Sequence, residues 1–81
     1  MSRRIERSDL DIVSKAHAMV RSAERAGASV IHSREAARRI ASTLDYAEDL
    51  SRREMDQIHS IARQALWDSG KSSNIRIEWE Q

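Results

Sequence analysis

Gly70-Lys71-Ser72 matches the last three positions of a phosphate-binding loop, in which backbone amides and a lysine cradle a nucleotide's phosphates. That chemistry also needs a leading glycine and a strand running into the loop. Ala65 stands at the glycine position and the triplet follows a helical pattern, so it reads as a helix end with a linker behind it. The three histidines, His17, His32 and His59, fall one to a segment, and none has a histidine or carboxylate four residues on that would complete a two-ligand helical metal site. There is no cysteine, no serine elbow and no glycine-rich cofactor turn. A chain of 81 residues also has little bulk with which to close a water-excluding pocket. Neither catalysis, nor a metal, nor a cofactor is expected.

The residues that suit an interface are the two tryptophans and the tail. At about 100° per residue, Trp67 points about 180° from Ile58, the centre of an apolar helical stripe. A large amphipathic ring on the wet side of a helix suits an interface anchor. Ile75, Ile77 and Trp79 alternate with Arg76, Glu78 and Glu80, the two-residue rhythm of a half-buried strand. Trp67, Ile75, Ile77 and Trp79 are therefore the candidate partner-binding residues. A lone strand leaves its backbone donors and acceptors unpaired. Three neighbours are open to this one: residues 29–31 of the same chain, the same tail across a two-fold axis, or a strand of another protein. An intermolecular partner is the expectation, because apolar side chains on one face and mixed charge on the other let a strand join a sheet edge with one side wet.

Three helices must position these groups. With no proline and only Gly27 and Gly70 as breakers, the helical patterns are interrupted chiefly at their ends. A capping pattern from Ser8 to Asp11 precedes Ile12, Val13, Ala16, Met19, Val20 and Ala23, which predicts a first helix over about 9–26, ended by Gly27. Ser33 is placed to cap a second helix over about 34–48 with the stripe Ala37, Ile40, Ala41, Leu44 and Ala47. Ser51 with Glu54 forms a capping box, and Leu50 with Met55 supplies the matching hydrophobic staple. The third helix, about 52–69, buries Met55, Ile58, Ile61, Ala62, Ala65 and Leu66, with Gly70 expected to end it in a left-handed cap. The fold class expected is mainly α, a three-helix domain over 9–70. A flexible basic arm at 1–8 carries Arg3, Arg4 and Arg7, and a linker and C-terminal strand fill 71–81.

Composition narrows the partner. Eleven of the thirty-two apolar residues are alanine, so the core is thin, and a second subunit often completes such a core. The net charge of +1 is far from the excess expected of a protein that grips phosphates. Twelve of the fourteen cations are arginine, which would suit forked contacts to carboxylates but is read first as the product of a GC-rich coding sequence. There is no apolar span of membrane length and nothing like a signal peptide, which leads to an expectation of a cytoplasmic protein with no membrane contact. The order helix, extended run, helix, helix, strand resembles the start of a winged-helix domain. That resemblance implies DNA binding through Arg52, Arg53 and Gln57 at the start of the third helix, facing the major groove. Against it stand Asp45, Glu48 and Asp49 just before that helix and the missing second strand of a wing. The leading expectation is a non-catalytic regulator or inhibitor that binds another protein, as a homodimer. By analogy of size and composition alone, such chains are common among bacteria and their phages.

Overall fold

A computed structural model describes residues 2–45 and 47–79, with side chains described from Leu10 onward except at Ala47. The elements run α1 (Ser2–Arg25), β1 (Val30–His32), α2 (Ser33–Ser42), a 3₁₀ turn (Ala47–Asp49), α3 (Arg52–Gly70) and β2 (Arg76–Glu78). The fold is mainly helical, with the C-terminal strand paired in a small sheet.

α1 begins well before the expected start at Asp9, its helical backbone running through the segment expected to be a flexible arm. No proline or glycine interrupts residues 2–25, and the arginines and glutamate there are good helix formers, so nothing stops the helix from extending. The side chains of Arg3, Arg4, Arg7 and Ser8 lie outside the described residues. Ile12, Ala16 and Val20 form the buried stripe, joined by Met19 and Ala23, whereas Val13, expected on it, is exposed. Gly27 ends α1 at φ 79°, where the amides of Gly27 and Ala28 donate to Glu24 O and Ala23 O at 3.0 and 2.9 Å. This is the paired bonding of a Schellman cap.

α2 starts one residue early and ends at Ser42, six residues short of expectation. Ser42 Oγ and Thr43 Oγ1 donate to Arg39 O and Ile40 O at 2.8 and 2.7 Å, and the amides of Thr43 and Leu44 reach back only three residues. These hydroxyls compete with the helical ladder and tighten the last turn, which brings Leu44 down into the core. The side chain of Ala47, expected on the same stripe, lies outside the described residues. Because β1 runs directly into α2, the cap position falls on His32, which makes no side-chain cap bond, and Ser33 becomes the first helical residue. Ser33 is fully buried, and its Oγ has no hydrogen-bond partner.

The start of α3 follows the sequence pattern. Glu54 N–H donates to Ser51 Oγ at 3.2 Å and Ser51 N–H to Glu54 Oε1 at 3.0 Å, with Leu50 and Met55 packed against the core. The two serines at helix starts therefore have opposite expected effects. Ser51→Ala should lower stability by about 1 kcal/mol through loss of a cap. Ser33→Ala should leave stability unchanged or raise it by up to about 1 kcal/mol, because it removes a buried hydroxyl that bonds to nothing. Chemical denaturation of the two variants checks the pair of signs.

α3 packs against both α1 and α2 and so forms the centre of the core. Ile58, Ala62, Ala65 and Leu66 face inward from it. The tail folds back onto this core. β2 pairs in parallel with β1, Val30 opposite Arg76, Ile31 opposite Ile77 and His32 opposite Glu78, and Arg76 N–H donates to Ser29 O at 2.9 Å. Of the three neighbours open to β2, its own chain supplies one: the run at 29–31, formed as β1 (Val30–His32) with Ser29 O accepting the Arg76 amide, so one edge of β2 is filled within the chain where an intermolecular partner was the expectation. The crossover that a parallel pair requires is supplied by α2 and α3. Burial of Ile75 and Ile77 then drives the closure.

Candidate functional site

The C-terminal half of α3 and β2 together form one surface. Gly70 packs directly under Ile77, so close that a Cβ at this position would lie 2.5 Å from Ile77 Cγ1. Its φ is not positive, so the left-handed cap expected at Gly70 is not formed. Its role is to allow a strand to lie against the end of a helix. That approach delivers the residue after β2, Trp79, to the exposed side of α3. The Trp67 and Trp79 rings meet edge to face, with centroids 6.0 Å apart and planes at 84°, and Arg63 Cζ lies 4.4 Å from the Trp79 ring centroid. Edge-to-face packing and a cation over the ring face are each worth about 0.5–1 kcal/mol at a partly wet site.

The two rings cover each other in part within one subunit, yet Trp67 remains 41% exposed and Trp79 46%. Beside them lies a groove of about 230 Å³ lined by Trp67, Gly70, Lys71, Ile75, Arg76 and Ile77. Of the four candidate partner-binding residues, the two tryptophans present their side chains to solvent. Ile75 and Ile77 do not: they are 5% and 7% exposed and belong to the core, so only their backbone and the groove wall they form remain accessible. Arg63 was not among the sequence candidates, although its position four residues before Trp67 places the two one turn apart on the same helical face.

The triplet at the end of α3 does not form a phosphate cradle. The amides of Lys71, Ser72 and Ser73 donate to Trp67 O, Ser69 O and Gly70 O at 3.3, 3.3 and 3.1 Å, so the donors that a phosphate would need are taken. Lys71 Nζ lies 3.9 Å from Asp68 Oδ1 between well-exposed side chains, a weak pair. Arg52, Arg53 and Gln57 are all exposed at the start of α3. Arg53 and Gln57 line a shallow depression with Asp56, Ser60 and Ile61, which places a carboxylate beside the arginine. The histidines stay on separate elements, and no group of three metal-ligating side chains occurs among the described residues. His17 makes a contact that the spacing did not reveal: its Nδ1 lies 2.8 Å from Oγ of Ser69, which is buried, so the pair ties α1 to α3. None of the helices among the described residues is long and apolar enough to cross a membrane.

The class is therefore a mainly α fold with a two-stranded parallel sheet and an aromatic surface where the last helix meets the last strand. Comparison with protein-family models, with curated proteins and with solved structures finds no match.

Proposed function

We propose that the chain is a small, non-catalytic protein-binding regulator or inhibitor that contacts its target through the α3/β2 surface and works as a dimer in the cytoplasm. The observation that supports this reading is the pairing of two tryptophans, each left about half exposed in one cluster with Arg63 beside a groove. Tryptophan and arginine are the residues most enriched among those that carry binding energy at protein interfaces. With an alanine-rich core, a chain that leaves its two largest side chains half in water forgoes stability that fuller burial would supply. A binding role explains that arrangement.

A second reading, a DNA-binding regulator of the winged-helix kind, draws on the exposure of Arg52, Arg53 and Gln57. Asp56 in the same depression and the net charge of +1 weigh against it. One experiment separates the two. Tagged protein is passed over native cell extract with and without nuclease, alongside Trp67→Ala and Arg52→Ala/Arg53→Ala. On the first reading a stoichiometric protein survives nuclease, and Trp67→Ala weakens its binding about tenfold or more while lowering the thermal midpoint only by the several degrees that loss of the Trp79 contact entails. Retention of nucleic acid alone, lost with the two arginines and steeply dependent on salt, would overturn that reading in favour of the second.

A further inference from the structure

We infer that the free edge of β2 pairs with β2 of a second copy, antiparallel about a two-fold axis through Ile77, joining the two sheets into one of four strands. The inference rests on the protein-binding reading of the α3/β2 surface and names its first occupant. Among the described residues β2 pairs only with β1. Because Arg76 turns its amide toward β1, the alternating residues Ile75, Ile77 and Trp79 turn their backbone groups to the opposite edge. Of these, the Ile75 amide is held at 3.2 Å by Ser73 Oγ, which would have to release it. The Ile77 amide and carbonyl sit at the centre of that edge, where a two-fold axis lets two copies exchange a pair of hydrogen bonds.

The side chains select the register. An axis at Ile77 sets Arg76 opposite Glu78 of the second copy and Glu78 opposite its Arg76, and sets Ile75 opposite Trp79 on the inner face. The strand's own Arg76–Glu78 pair, 2.9 Å apart, then lies within a ring of four alternating charges. An axis at Arg76 or Glu78 would oppose like charges across the dyad, which is destabilising. An axis at Ile75 opposes Arg76 to Asn74 and Ile77 to Ser73, which leaves the charges unmatched. An axis at Trp79 would lie beyond β2, which ends at Glu78. A slip of one residue would turn the charged set onto the apolar face. Only the Ile77 register matches both charge and face. It also brings Trp79 of the second copy to the mouth of the groove formed by Trp67, Gly70, Lys71 and Ile75.

Charge reversal on exposed side chains tests this without touching the core. Arg76 and Glu78 side chains are 76% and 39% exposed, so single reversals should leave the fold intact, as circular dichroism would verify. By sedimentation equilibrium over about 10 µM to 1 mM, the unmodified chain should weigh about twice its 9.3 kDa mass. Arg76→Glu alone and Glu78→Arg alone should each weaken self-association about tenfold or more. The double reversal should restore it, and a mixture of the two single variants should form a heterodimer. A monomeric unmodified chain, or self-association indifferent to both reversals, overturns the inference. In either case Trp67-dependent capture of a target by that chain would leave the broader protein-binding reading standing, so the two fail separately.

Discussion

Leu66→Ala should remove about 3–4 kcal/mol of folding stability, about a quarter or more of what a chain of this length has to lose. Leu66 is fully buried on the inner face of α3, the helix that packs on both of the others. Six of the fifteen buried apolar residues among those described are alanine, so few large side chains hold the three helices together. Truncating one of them forfeits its transfer free energy and leaves a cavity in a region where α1 and α2 are constrained by their own contacts. A chain of 81 residues has a total of about 4–12 kcal/mol to lose. Leu10→Ala is the matched control: the same atoms are removed from a side chain that is 75% exposed, and the change should be within about 0.5 kcal/mol. Urea unfolding of both variants makes the comparison. Similar losses in the two would mean that α1 packs with a different face inward.

That comparison bears on what could be read from residue order alone. The start of α3 was legible because its signals are local: Ser51, Glu54, Leu50 and Met55 satisfy one another within one turn, whatever the rest of the chain does. The inner face of α3 was legible for the same reason, since its apolar positions recur at a single period. The end of α2 was not, because nothing in the spacing shows that Ser42 and Thr43 will turn their hydroxyls onto carbonyls behind them. Nor was the start of α1: the capping pattern at Ser8 is one local option among several, and the residues ahead of it favour helix just as strongly.

The site was half legible. Trp67 on the wet side of α3 and the alternation from Ile75 to Trp79 both follow from periodicity, so the components of the surface could be named. Their assembly depends on contacts far apart in sequence. Whether Ile77 reaches a neighbour in its own chain turns on whether the residue beneath it has a side chain, and a glycine near a helix end reads first as a cap. The same blindness hid the bond between His17 and Ser69, which joins helices at opposite ends of the chain. Periodicity reports which face a residue lies on. It does not report what that face meets.

Gly70→Val carries the second large effect, about 2–3 kcal/mol of destabilisation, and it tests the close approach on which the surface depends. Replacing a helical glycine ordinarily stabilises, because glycine has the most backbone freedom to lose on folding. Here the new Cβ would lie 2.5 Å from Cγ1 and 3.0 Å from Cδ1 of Ile77, a buried, β-branched side chain with little room to rotate. Either the strand lifts from α3 or the helix end distorts. Lifting β2 carries Trp79 away from Trp67 and Arg63, so the variant should also shift tryptophan fluorescence toward that of exposed indole. Ile77→Ala separates this steric account from a backbone one. In that background the atoms in conflict are gone, and Gly70→Val should cost far less than it does alone, a coupling of about 1–2 kcal/mol in a double-mutant cycle. Gly27→Ala supplies the contrast: nothing lies within 4 Å of its Cβ position, yet φ is 79° there, so its cost of about 1 kcal/mol arises from the backbone and should not change when Ile77 is truncated. If Gly70→Val cost the same with and without the Ile77 side chain, the contact between helix and strand would not be what requires glycine, and the surface built on it would lose its foundation.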